Sequence, residues 1–238
     1  MKDKLEFIGY NILLNVVINR ILSESFITNK LMLVWMGVVI MNGWNQYQKI
    51  TKGNEPRRLA TNLKMYLNKK MSIIDIGCGA GKDSIYFIEQ GYFVTAIDKE
   101  TATIENIKSK LDDYIKCKLN IINADFTNLE FPLCDAIYAS FSLPFCTPNE
   151  FNKFWVNIEQ SLRKNGVFAG IFFGVNDDWY KTSNDLTFHS RGELEEIFKE
   201  YTMKEFNENE YDGYCVGEQG NKVNKHWHIY EIIAVKNN

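Results

Sequence analysis

From residue 55 onward, apolar runs of strand length alternate with amphipathic stretches of helix length, and the connections between them are short. This alternation restricts the fold more than any other feature, because strand–helix–strand units pack as a parallel sheet with helices on its faces. The pattern predicts a helix over residues 55–68, with Pro56 in its first turn, and a strand over 72–76. A helix over 82–90 stops at Gly91, and "YFVTAID" forms the next strand. Ile104, Ile107, Leu111 and Ile115 then mark the apolar stripe of another helix, and "CKLNIINAD" and "CDAIYAS" supply two further strands.

Thr147, Pro148 and Glu150 punctuate the start of a helix whose inner face is Phe151, Phe154, Trp155, Ile158 and Leu162. "GVFAGIFFG" is a fifth strand, entered through a turn at 164–166. Ser190 and Glu193 form a capping box before the inward Leu194, Ile197 and Phe198. Residues 201–211 and 226–236 are long strand-like segments with no helix between them. The sheet therefore finishes as an antiparallel hairpin.

Residues 1–40 differ from the rest. Two apolar runs, 7–18 and 31–41, are separated by charged and polar residues. Neither reaches the roughly 18–20 residues that cross a bilayer, and no signal-peptide cleavage pattern follows them. Two readings fit this apolar extension: a helical addition packed on the domain or a partner, or residues ahead of a translation start at Met41. The second is motivated by residues 37–41, "GVVIM", which suit a purine-rich ribosome-binding sequence. Residues 41–238 form the recognisable domain in either case.

A net charge of −3 without a basic stripe argues against a protein whose affinity rests on nucleic-acid phosphates. Five cysteines stand singly, with no CxxC pair, so neither a disulfide framework nor a zinc spacing is present. They suit reduced thiols in the cytoplasm.

The stretch "IIDIGCGAGKDS", residues 73–84, is a strand, a glycine loop and a helix start. A P-loop needs four residues between its glycines and then Gly-Lys-Ser/Thr, whereas Lys82 precedes Asp83 here. A dinucleotide fingerprint needs G-x-G-x-x-G, and Gly77, Gly79 and Gly81 are one residue short of it. Asp75, at the strand end, would repel a pyrophosphate and suit a cationic amino group. Asp98 ends the next strand, where a carboxylate accepts from both ribose hydroxyls. Asp125 follows the third strand, placed either to receive an adenine amine beside Phe126 or to close an Asx turn. Amine, ribose and adenine without a phosphate site describe S-adenosylmethionine better than NAD.

Through "DIGCGAG", "TAID", "NADF" and "LRKNGVFAG", in that order, the sequence resembles the class I S-adenosylmethionine-dependent methyltransferases, and most of all the tellurite-resistance-type and related small-molecule branch. The resemblance implies a Rossmann-like, doubly wound α/β sheet of seven strands, mostly parallel, with an antiparallel C-terminal strand. It also implies S-adenosyl-L-methionine as cofactor. Asp75, Gly77, Cys78, Gly79 and Gly81 would surround its methionine end, Asp98 and Lys99 its ribose, Asp125 and Phe126 its adenine, and Ser140 and Phe141 its methyl end.

Acceptor residues should come from loops beyond the carboxyl ends of the strands. "SFSLPFC", residues 140–146, either walls the acceptor through Phe145 or simply covers the sheet. Trp44 or Tyr47 would close over a sulfonium, and Arg57 and Arg58 either bind an anionic acceptor or form a solvated helix start. His189, His226 and His228 are all the histidines of the chain and are candidates for acceptor-side catalysis. A three-histidine metal site lacks a helping carboxylate or cysteine, and no metal is expected. The expected activity is methyl transfer to a small-molecule acceptor, with no nucleic-acid partner and no membrane span. A non-catalytic cofactor-binding sensor and, more weakly, an NAD-dependent oxidoreductase are the alternatives.

Overall fold

The computed structural model describes residues 55–109, 111–216 and 221–237. The 1–40 extension, Trp44 and Tyr47 lie outside the described residues. The strands are β1 (Ser72–Ile76), β2 (Phe93–Asp98), β3 (Leu119–Asn123), β4 (Cys134–Ala139), β5 (Leu162–Gly174), β6 (Phe188–His189), β7 (Tyr201–Val216) and β8 (Lys222–Lys236). They form one sheet in the order β3-β2-β1-β4-β5-β8-β7, with the two-residue β6 pairing with the end of β5. β1 to β5 run parallel, and β8 enters antiparallel between β5 and β7. The expected parallel sheet with an antiparallel finish is therefore present, with β6 as an added edge pairing.

Among the described residues, six α-helices cover the two faces: α1 (Arg58–Leu63), α2 (Lys82–Glu89), α3 (Ala102–Lys108), α4 (Asp113–Lys116), α5 (Pro148–Ser161) and α6 (Arg191–Ile197). The alternation of strand side chains divides the core in two. Ile73, Val94, Ala136, Tyr138, Val167, Ala169 and Ile233 meet Leu59, Leu63, Phe87, Ile88 and Ile104 of the first three helices. Ile74, Ile76, Ile137, Phe168, Phe172 and Ile232 meet Phe151, Phe154, Trp155 and Ile158 of α5 and Leu194 of α6.

Three boundaries differ from the sequence reading. The first helix is shorter, because the backbone N–H of Arg57 is drawn 2.9 Å from Asp83 Oδ1 and residue 57 stays extended. The stripe through Leu111 is broken, because Asp112 accepts from the Ile115 N–H and starts a separate helix. Thr147 stands at the N-cap of α5, but its hydroxyl bonds the Glu150 carboxylate at 2.6 Å instead of a backbone N–H. The capping box of Ser190 and Glu193 is complete on both sides.

Trp155 is the largest side chain joining α5 to the sheet: its ring lies 5.2 Å from Phe168 and 5.1 Å from Phe198, and stacks on Phe151. Trp155→Ala should lower stability by about 3–5 kcal/mol, the usual cost of emptying a buried aromatic site. Urea unfolding of the two proteins measures it.

Candidate active site

In the sheet order, β1 lies between β2 and β4, so the chain leaves it in one direction through α2 and returns on its other side much later. The crevice at the carboxyl ends of β1 and β4 is the switch point where open α/β sheets bind ligands. The glycine loop leaves β1 there, and Ser140, Phe141 and Ser142 leave β4 beside it.

The loop is built on one carbonyl. Ile97 O of β2 accepts from Gly77 N at 2.8 Å and Cys78 N at 3.0 Å, and Gly81 N closes back on Cys78 O at 2.9 Å. Gly77, Gly79 and Gly81 all have positive φ (69°, 55° and 78°), a region that costs a side-chain-bearing residue energy. Space matters as well as conformation. A Cβ on Gly77 would stand 2.5 Å from Ser142 Cβ, and one on Gly81 the same distance from Ile104 Cδ1. Over Gly79 nothing lies within 4 Å, so the open side of the loop is at its middle. Cys78 is buried beneath it, and burial raises its thiol well above the usual value.

Asp98 holds this loop from the side. Its Oδ2 accepts from Gly79 N at 2.8 Å and its Oδ1 from Glu100 N at 2.9 Å. A carboxylate has about four lone-pair directions, so both oxygens retain acceptor capacity toward the crevice. Lys99, next in the chain, is exposed.

Asp75 is placed differently from an open ammonium acceptor. It is 2 % exposed and bonded at 2.5 Å to Ser84 Oγ. Burial pushes its carboxyl from 3.8 up to about 7, against the opposing bond from Ser84. Direct pairing with an ammonium group is therefore not preformed; Asp75 anchors the start of α2 from below the loop. Beside it, Asp83 receives Arg57 Nη1 at 2.7 Å and the Tyr138 hydroxyl at 2.9 Å.

Asp125 is exposed and closes an Asx turn, accepting from Thr127 N at 3.0 Å and Thr127 Oγ1 at 2.8 Å. The neighbouring Phe126 ring lies 5.2 Å from Phe154 of α5. Phe141 has φ 55°, strained for a bulky residue, and its ring stands 6.0 Å from the Arg57 guanidinium and 6.0 Å from Trp227. Phe145 and Phe141 both pack on Phe173, at 6.1 and 6.4 Å.

The three histidines are not brought together. His189 is buried between Phe151 and Phe172, with ring distances of 4.6 and 5.5 Å. Burial lowers it to about 4 and keeps it neutral, and its Nδ1 has no partner among the described residues. His228 is 2 % exposed; its Nδ1 accepts from Asn176 N at 3.1 Å, so Nε2 carries the hydrogen toward Glu208 Oε1. His226 sits between Asp212 and Glu210 at 2.7 and 3.1 Å, and those carboxylates raise its pKa. Arg58 points away from the crevice into an ion pair with Glu231 of β8. Among the described residues no group of three His, Cys, Asp or Glu side chains is arranged to hold a metal, and no helix is long and apolar enough to cross a membrane.

Sequence reasoning missed Ser142, whose buried Oγ has no partner among the described residues and packs under Gly77. It also missed the group formed by Asp177, Trp179, Lys225 and Trp227. The signal lies in "NDDWY" and "KHWHIYE", where acids, a lysine and tryptophans stand beside the histidines.

An orphaned buried hydroxyl beside a glycine cradle and a carboxylate at the end of β2 fits the amino-acid and ribose ends of S-adenosylmethionine. A family profile described as a methyltransferase domain matches residues 73–166, from β1 into β5. Over those residues the chain is similar to methyltransferases. It is similar to the carboxy-S-adenosyl-L-methionine synthase of Helicobacter pylori, 26% identical over 167 residues that cover 62% of this chain and 69% of that protein. The synthase of the same name from Campylobacter concisus is 28% identical over 108 residues, 44% of this chain and 46% of the other. Among solved structures, TehB from Haemophilus influenzae shares the fold of the methyltransferase domain with a TM-score of 0.62 at 20% identity, covering 75% of this chain and 61% of that one. The Burkholderia thailandensis 1,6-didemethyltoxoflavin-N1-methyltransferase does so with a TM-score of 0.57 at 19% identity, covering 76% and 78%.

The raised Asp75 gives a pH signature. The folded protein keeps a proton on Asp75 that the unfolded chain loses above about pH 4, so this group makes stability fall as pH rises from about 4 to about 7. Asp75→Asn keeps the acceptor for Ser84 and removes the titration. The variant should gain stability relative to the parent as pH rises through that window, read from urea midpoints in a pH series.

Proposed function

We propose that this chain transfers a methyl group from S-adenosylmethionine to a small-molecule acceptor. The observation that carries the reading is the crevice at the switch point, where the glycine loop, the orphaned Ser142 hydroxyl and Asp98 converge. The backbone of residues 77–81 and Ser142 would hold the amino-acid end, Asp98 the ribose hydroxyls, Asp125 and Phe126 the adenine side, and Phe141 the methyl end. When bound, the cofactor supplies an electrophilic methyl group on a sulfonium.

The task left to the protein is positioning. Displacement at a sulfonium releases a neutral thioether that needs no proton, so much of the rate comes from holding the acceptor's lone pair in line. A base is required only when the acceptor must lose a proton. His189, buried and held neutral near a pKa of about 4, is a poor base. The cluster of Phe141, Phe145, Phe173 and Trp227 supports an acceptor side that excludes water.

A second reading has its own support. Curated relatives are named carboxy-S-adenosyl-L-methionine synthases, and Arg57 places a guanidinium 6.0 Å from the Phe141 ring. On this reading the chain carboxylates the methyl group of the cofactor itself. A mass change of the cofactor in the presence of a carboxyl donor separates this outcome from release of S-adenosylhomocysteine.

Asp98→Ala should weaken S-adenosylmethionine binding by about 1–3 kcal/mol, the range for hydrogen bonds to a charged group; titration calorimetry reads it, and unchanged affinity removes Asp98 from the site. The parent protein should bind S-adenosylmethionine and not NADH. A screen of oxyanions, thiols and amines for S-adenosylhomocysteine release should find a turning-over acceptor class. Tight binding with no release for any of them would favour a sensor over an enzyme.

A further inference from the structure

The last strands outrun the sheet. β8 pairs with β5 only as far as Ile229 opposite Phe173, while β7 and β8 stay paired out to Val216 opposite Lys222. Seven residue pairs thus rise past the carboxyl end of β5 as a two-stranded arm, on the side where the crevice opens. A two-stranded ribbon is marginal alone, and this one is tied to the loop after β5. Asp178 Oδ2 and Asp177 Oδ2 accept from the backbone N–H groups of His226 at 2.7 Å and His228 at 3.3 Å, where β5 would otherwise have continued.

On the opposite face of the arm is a buried cation. The Lys225 side chain is 1% exposed and pairs with Asp177, itself fully buried. Its ammonium stands 4.0 Å from the Trp179 ring centre, 4.3 Å from Trp227 and 5.8 Å from Phe173. A buried ion pair stabilises no better than apolar residues of similar volume, because desolvation offsets the attraction. What a charged box does that an apolar filler does not is orient its rings. Trp227 is further fixed by its Nε1–H, which donates to Tyr214 O at 3.3 Å.

Trp227 is half-buried, and its ring meets Phe141 at 6.0 Å and 74°. Phe141 adjoins Ser142, which lies under Gly77. The path from the glycine loop to Trp227 is therefore continuous contact. Both rings already stand beside cations, Arg57 at Phe141 and Lys225 at Trp227. Each of those cations is neutralised by its own carboxylate, Asp83 and Asp177. The ring faces, and not a net positive charge, thus set the field at this end of the crevice.

We propose that Trp227, with Phe141, forms the aromatic wall that receives the sulfonium end of the cofactor, and that Lys225 is the positioning residue that holds Trp227 there. This rests on the S-adenosylmethionine reading. It assigns the hairpin arm a part in distinguishing the charged methyl donor from its neutral thioether product.

The test compares the binding of S-adenosylmethionine and S-adenosylhomocysteine to the full chain by titration calorimetry. Trp227→Leu should lower the affinity for S-adenosylmethionine relative to S-adenosylhomocysteine by about three- to tenfold, the loss expected of one cation–π contact. Lys225→Met should move the ratio in the same direction, with circular dichroism unchanged. The double variant Lys225→Met with Asp177→Asn removes both buried charges and should do the same if the single change leaves Asp177 too costly to bury. A ratio unchanged by Trp227→Leu in a folded protein overturns the wall; a ratio moved by Trp227→Leu but by neither Lys225 variant overturns the positioning role. If the parent protein binds neither ligand, the S-adenosylmethionine reading fails first, and the proposal with it.

Discussion

The carbonyl oxygen of Ile97 accepts two consecutive N–H groups, from Gly77 and Cys78. Much of the site follows from that pair of bonds. They turn the chain out of β1 toward β2, and the turn is possible only with glycines at positive φ. Once turned, Gly79 presents its N–H to Asp98, and the carboxylate is fixed at the end of β2. The same turn leaves no room for a side chain on Gly77, so Ser142 of the loop after β4 packs directly against the backbone. One carbonyl thereby couples the ends of β1, β2 and β4 into a single crevice.

The other half of the site obeys a different constraint. β8 extends beyond its pairing with β5, so some of its N–H groups emerge on that side without a partner in β5, and a buried polar group without a partner is costly. The loop after β5 meets this need with consecutive carboxylates, Asp177 and Asp178. Asp177 is then a buried acid that itself needs a cation, which Lys225 supplies. The aromatic rings around Lys225 complete the sequence. An unpaired strand edge leads to two acids, the acids to a lysine, and the lysine to a fixed tryptophan.

How much of this could be read in advance depended on the range of the interactions. The glycine spacing, the acid two residues before it and the acid ending the next strand are local patterns, legible in the sequence, and the fold brings them together at the ends of β1 and β2. The hairpin was legible because two strand-like segments had no helix between them. The position of Asp75 is evident in the sequence, but its burial and its bond to Ser84 depend on how α2 packs back on β1. The histidines illustrate the same limit. A strand register places His226 and His228 on one face, but only the pairing with β7 puts Glu208, Glu210 and Asp212 beside them. Lys225 could not be distinguished from a solvated lysine, since its partner lies forty-eight residues earlier in the chain.

The match to the methyltransferase domain profile ends at residue 166, near the start of β5. Everything that builds the aromatic side of the crevice beyond Phe141 and Phe145 lies after it: Phe173, Asp177, Trp179, Lys225 and Trp227. This division has a physical origin. Cofactor-side contacts depend on backbone turns and on acids at strand ends, which few sequences can satisfy, so they produce a shared pattern. The aromatic side is built from side chains on an arm and a loop that need only hold each other in place, and many combinations achieve that. If the proposed methyl transfer holds, the identity of the acceptor is to be sought in residues 167–236, which carry the arm and its rings.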